Sequence, residues 1–184
     1  MSEEKYTYLE KIILILLYLY NDKISIDRLH KIVFLASLDL KGLKEKMSFR
    51  PRMYKDIFFD PAVAEALEFL QVNKLIEINN NIVILTKNGE EAAQFLLSEL
   101  SYKEKDILEE VLDLFNGTTD DEILAIFYFK LDDILKIIKP LYRIIKNRKK
   151  LAVSLYRKGK ISIGAASEIA GMNIKDFMHL LHKI

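Results

Sequence analysis

Hydrophobic and polar positions repeat with two different periods along this chain, and each change of period marks a new element. Nine apolar or aromatic residues run together at Ile12–Tyr20 (IILILLYLY), within a helix expected over Tyr6–Tyr20. A bilayer span needs roughly 20 such residues. The run therefore predicts a helix buried on most sides, in a core or at a dimer interface, and no membrane segment. The opening MSEEKYTYLE lacks the basic stretch of a secretory signal, and no small-residue cleavage site follows the run. Ser25 is the expected cap of a second helix, in which Leu29, Ile32, Val33 and Ala36 form one stripe. From Gly42 to Arg52 the chain reads as basic and irregular, with Pro51 and Pro61 as punctuation. Pro61 suits the first turn of a third helix, Pro61–Asn73, with Asp60 as its cap. The period then drops to two in LIEI-NNN-IVIL, which predicts a β-hairpin with its tip at Asn79–Asn81, because asparagine tolerates positive φ. Thr86 and Asn88 precede a further helix, Gly89–Leu100.

Helical spacing rules the rest. Tyr102–Asn116 reads as one helix, stopped at Asn116-Gly117. Thr119 is the expected cap of the next, with Asp120, Asp121 and Glu122 in its first turn, where acids suit the positive end of a helix. A helix over Asp132–Asn147 is expected to break or kink at Pro140. Arg148–Lys158 then forms a short basic helix ended by Gly159, with Leu151, Leu155 and Tyr156 toward a core. Ser162 caps Ile163–Ala170, whose Ala165, Ala166 and Ala170 keep the inner face thin. Gly171 stands where a left-handed cap is needed, and Asn173 can cap a last helix. Its Ile174, Phe177, Leu180 and Leu181 fall on one face, against Asn173, Lys175, Asp176, His179, His182 and Lys183 on the other. Two short helices joined by a glycine turn, with small residues where they touch, have the layout of a helix-turn-helix.

The stretch LAVSLYRKGKISIGAASEIAGMNIKDFMHLL resembles a small, uncharacterised prokaryotic helix-turn-helix family, often treated as antitoxin-like. The shared pattern falls on Leu151, Tyr156, Gly159, Ile161, Ser162, Gly164, Ala166, Glu168, Ala170, Gly171 and Phe177; Ser167 stands where that pattern usually has alanine. The resemblance implies a DNA-binding fold, in autoregulation or toxin neutralisation. Residues 6–100 resemble winged-helix modules of prokaryotic regulators. The matching features are the helix around Lys31, Phe34 and Leu35, the stretch Phe49-Arg50-Pro51 followed by Tyr54, and the hairpin exit Leu85, Gly89, Ala92.

Charge adds a partner class to this picture. Residues 101–135 hold 3 basic and 10 acidic side chains, whereas Lys136–Lys160 holds 10 basic ones and no acid. The last 37 residues carry 8 basic against 2 acidic side chains in a chain of net charge +1. A basic run beside a helix-turn-helix suits a phosphate track. The expected DNA-contacting residues are Lys149, Lys150, Arg157, Lys158, Lys160 and Ser162 at phosphates, with Asn173, Lys175, His179 and Lys183 toward the major groove. Arg50, Arg52 and Lys55 form a possible second contact. The winged-helix-like part is expected to be mainly architectural, since Pro61–Asn73 carries Glu65 and Glu68 and no basic residue.

Candidate chemistry is sparse. With no cysteine there is neither disulfide nor thiolate site, and the six glycines are isolated, so no phosphate-cradling loop occurs. His30, on an otherwise apolar helix, reads as a structural histidine. His179 and His182 have metal-pair spacing but no third ligand near them in sequence. Asp120, Asp121, Asp132 and Asp133 are accounted for by helix-start and helix-surface positions, and not by a nuclease site. The expectation is a mainly α, cytoplasmic, non-enzymatic DNA-binding protein without metal or cofactor. Its parts are a winged-helix-like domain (1–100), a helical bridge (101–147) and a helix-turn-helix (148–184). Its partners are double-stranded DNA and a second copy in a homodimer. The alternative is a protein-interaction module whose acidic bridge docks a basic partner or masks the chain's own basic tail.

Overall fold

A computed structural model describes residues 5–46, 52–54, 57–130 and 141–183. Among these the protein is mainly helical, with ten helices and five short strands. The chain divides into two compact units, residues 1–112 and 113–184.

The first unit begins with α1 (Tyr8–Tyr20), whose N-terminus is closed by a capping box between Thr7 and Glu10. Ile12–Leu17 are all buried within this unit, against α4 (Pro61–Val72), α5 (Lys87–Glu99) and β5 (Ile82–Leu85). Of the two placements expected for the run Ile12–Tyr20, in a core or at a dimer interface, the core holds for Ile12–Leu17, while Tyr18, Leu19 and Tyr20 are half-buried. The Tyr8 hydroxyl donates to Glu104 Oε1 (2.7 Å) and so fastens α1 to the capping box Ser101–Glu104 that opens α6 (Tyr102–Phe115).

Ser25 caps α2 (Ile26–Asp39) by accepting from the Arg28 amide (3.2 Å), and Leu29, Ile32, Val33 and Ala36 are fully buried, as the stripe predicts. The segment expected to be irregular instead contains α3 (Lys41–Lys46) and the strand β2 (Arg52–Tyr54), paired antiparallel with β3 (Ile57–Phe59). Gly42 lets α3 lie close to α1, since a β-carbon there would stand 2.8 Å from the Tyr8 ring. Asp27 on α2 holds β3 through the Phe58 amide (2.6 Å) and pairs with the buried Lys31; His30 accepts from the Asp60 amide (3.0 Å). Asp60 caps α4 and Pro61 occupies its first position, as expected.

The hairpin joins β4 (Ile76–Asn79) to β5 in the register Ile76↔Leu85 and Asn79↔Ile82. Its two-residue tip, Asn80-Asn81, has φ of 49° and 67°, the pair of positive values a type I′ turn requires. A strand too short to be foreseen, β1 (Ile24–Ser25), pairs with the other edge of β5 and makes the sheet three-stranded. Gly89, in the first turn of α5, sits against the Leu75 carbonyl; a β-carbon would meet that oxygen at 2.0 Å.

The second unit is built around α7 (Asp120–Lys130), whose residues Glu122–Tyr128 are all buried. It packs on α8 (Tyr142–Arg157) and α9 (Ile163–Ala170); α10 (Ile174–Lys183) packs on α9. Helix α8 corrects the sequence expectation. It starts at Tyr142 and passes through Asn147 without a break, where a separate helix from Arg148 was expected. A change in charge density is no helix breaker, and Ile144, Ala152 and Leu155 give one buried stripe through the whole element. Pro140 lies outside the described residues.

Candidate nucleic-acid interface

The turn between α9 and α10 follows from its local sequence. Ser162 Oγ accepts from the Ala165 amide (3.2 Å) and starts α9, which ends at Gly171 with φ 69° and ψ 41°. Asn173 starts α10 by accepting the Asp176 amide on Oδ1 (2.8 Å), and its Nδ2 donates to Asp176 Oδ2 (2.8 Å). The functional atoms of Asn173 are thus engaged in the cap. Ala166, Ser167, Ile169 and Ala170 are buried, which brings α9 close to its neighbours.

Phe177 anchors α10. It is fully buried and meets the Tyr156 ring edge-on at 6.0 Å. Leu180 and Leu181 are half-buried, but Ile174 is 47% exposed and does not join the core as its spacing predicted. It sits in the first turn of α10, at the edge of the arc centred on Phe177. Met178 is equally exposed beside it. The remaining surface of α10 presents Lys175, Asp176, His179, His182 and Lys183, with the His182 Nδ1 donating to the Met178 carbonyl (2.7 Å).

The basic residues of α8 and its exit sort into two groups. Lys146, Lys149, Lys150 and Arg157 project to solvent from one face, with Tyr142 at its start. The second group is committed to the unit itself. Arg143 pairs with Asp121 (3.0 Å). Arg148 donates to the Ile169 and Glu168 carbonyls (2.5 and 2.9 Å), satisfying the free C-terminal carbonyls of α9, and its guanidinium lies 4.2 Å above the Phe129 ring. Lys158 donates to both Glu122 oxygens (2.9 and 2.7 Å) and to the Gly117 carbonyl (2.9 Å). Lys160 donates to the Asp113 carbonyl (2.6 Å) and carboxylate (3.1 Å). Lys130 pairs with Glu168.

Of the phosphate contacts expected from the sequence, Lys149, Lys150 and Arg157 are therefore presented outward, Lys158 and Lys160 have carboxylate partners, and Ser162 is exposed but serves as a cap. Lys146 belongs to the basic run Lys136–Lys160 but is not singled out by the sequence; a continuous α8 places it one turn before Lys149 and Lys150. The acids that hold Lys158 and Lys160 lie in the acidic segment that, in the alternative reading, masks the chain's own basic tail, but the sequence does not single out the individual partners. Those pairs span 36 and 47 residues, and no local pattern announces them. Burial raises the Glu122 carboxyl, but hydrogen bonds from Lys158, Ser154 and the Thr119 amide, with the Lys158 charge, outweigh it and hold the group below its ordinary value. Arg50 and Lys55 lie outside the described residues, and Arg52 starts β2. No helix among the described residues is long and apolar enough to cross a membrane.

No curated protein and no solved structure matches the chain. The resemblance of residues 6–100 to winged-helix regulators thus has no matching relative behind it. The C-terminal part does: residues 132–183, which hold α8, α9 and α10, match the model of an uncharacterised protein family (UPF0175).

Proposed function

We propose that this chain binds double-stranded DNA through its C-terminal unit, without catalysis, as a transcriptional regulator or antitoxin-like repressor acting as a dimer. One observation carries the reading. A capped glycine turn presents Lys175, His179 and Lys183 on α10, in a unit whose α8 has an outward face of Lys146, Lys149, Lys150 and Arg157. In helix-turn-helix proteins the second helix of the pair enters the major groove, and cations on neighbouring elements hold the flanking phosphates. Helix α8 carries no acidic residue, so its outer face repels cations and not phosphate along its whole length. One ten-residue helix reaches few base edges, which is the reason for a two-fold dimer on a two-fold site.

The test is fluorescence anisotropy of the full chain on random and upstream duplexes at two salt concentrations, beside a Lys149→Glu/Lys175→Glu variant. Binding that falls steeply with salt, and that drops at least about tenfold in the variant, is expected. Absence of binding by the wild-type chain at low salt overturns the reading. The weight then moves to docking of a protein partner, which the exposed Ile174 and Met178 on the flank of α10 favour.

A further inference from the structure

A depression of about 330 Å³ on the outer face of α8 is lined by Lys150, Val153, Ser154, Arg157 and Lys158. The geometry points to a seat for a single phosphate group in this depression, held by Lys150 and Arg157. Three observations carry it. Positions 150, 153, 154 and 157 follow one another at helical spacing, so both cations rise from one side of the same floor. The floor is formed by the buried Val153, 4% exposed, and the half-buried Ser154, so the two cations stand on a fixed base. The local charge is unbalanced. Lys158 is neutralised by Glu122, while Lys150 makes no ion pair among the described residues and Arg157 makes only a long bond to the Leu181 carbonyl (3.4 Å). Among the described residues the depression is thus left with two cations and no counter-ion. A guanidinium offers a planar fork matched to phosphate oxygens, and a lysine adds a point charge beside it.

The phosphate belongs either to the backbone of a nucleic acid, in which case the inference deepens the DNA reading and rests on it, or to a free phosphorylated molecule. Two measurements on the full chain separate the cases. The first is a titration with inorganic phosphate followed by amide NMR. The Val153 and Ser154 amides are expected to shift saturably at millimolar phosphate, and the shift is expected to vanish in Arg157→Gln and in Lys150→Gln. Both side chains are exposed, so these variants keep the fold; Lys146→Gln, on the same face but outside the depression, is expected to leave the shift intact. The second is duplex binding by Arg157→Gln. A loss of about tenfold, with the slope of log K against log salt reduced by about one, assigns the seat to backbone phosphate. A saturable phosphate shift with unchanged duplex binding assigns it to a free phosphorylated ligand and leaves the DNA reading to its own test. Without a saturable shift, or with the same shift in Arg157→Gln, the inference is overturned whether or not the wild-type chain binds duplex.

Discussion

Arg148 lies so close over Gly171 that a β-carbon at position 171 would stand 2.7 Å from the guanidinium carbon. The same guanidinium closes the C-terminus of α9 and stacks on Phe129, so the turn of the helix-turn-helix is locked from outside by one side chain. Gly171→Ala is expected to destabilise the second unit by about 2–3 kcal/mol, combining the cost of a left-handed φ with the displacement of Arg148. Arg148→Met keeps the stem and removes the bonds, and should cost less, about 1–2 kcal/mol. Calorimetric unfolding of the full chain reads both; a Gly171→Ala variant with unchanged unfolding would show that Arg148 does not hold the turn.

Lys158→Met removes the partner of a carboxylate whose side chain is 3% exposed. Breaking a buried pair from one side leaves a charge without compensation, and because Lys158 is 34% exposed the expected loss is reduced to about 2 kcal/mol. Lys158→Met/Glu122→Leu should recover most of it. The Glu122 carboxyl is held below its unfolded value, so its contribution is present above that value and fades as pH falls through the native one. The stability difference between wild type and Glu122→Gln should accordingly shrink on acidification. A difference that is constant from pH 7 to pH 3 would contradict the assignment.

His30 gives a second pH dependence, in the first unit. Its Nδ1 accepts from the Asp60 amide, which places the proton on Nε2, and that atom is buried with no hydrogen-bond partner among the described residues. Burial pushes the ring down to about 4; Asp27 opposes the shift and Lys31 adds to it. The unfolded ring takes up a proton near 6.5, before the native one does. The stabilisation is therefore complete above 6.5 and is lost as pH falls from there toward 4, by on the order of 3 kcal/mol in total. In His30→Asn this slope should disappear from a stability profile between pH 7 and 4. If the slope survives the substitution, another group is responsible.

Gly89→Ala should be among the most damaging single changes in the chain. The Leu75 carbonyl that the new methyl would strike at 2.0 Å is held in place by the Thr86 amide (3.0 Å) and cannot retreat freely. A loss of about 3 kcal/mol or more is expected, with the start of α5 displaced from the hairpin. Amide exchange at β4 and β5 checks it; protection equal to wild type would rule the clash out.

What the sequence made legible is mostly local. Ser25, Asp60, Ser162 and Asn173 each cap the helix expected of them, the helix expected from Gly89 starts two residues earlier behind Thr86, and Asn80-Asn81 and Gly171 adopt the positive φ that their residue types suggested. These features depend on neighbours three or four positions away. Features set by distant partners were not readable. Ile174 has core spacing yet stays exposed, because the arc of α10 that is covered centres on Phe177. The burial of Ile12–Leu17 was legible, whereas what buries it was not. Lys158 and Lys160 looked like members of a phosphate track because their acids lie in the helices α6 and α7, far away along the chain. The two-residue strand β1 has no period of its own to detect.

The family match starts at residue 132, while the compact unit starts at residue 113. The difference is α7 and the acids around it. Transplanted into another host, the matched segment would arrive with an uncovered apolar groove where α7 belongs, and with Arg143, Lys158 and Lys160 stripped of Asp121, Glu122 and Asp113. A boundary drawn at 132 therefore cuts through a compact unit of this chain and leaves α7, with the acids that hold Arg143, Lys158 and Lys160, on its far side.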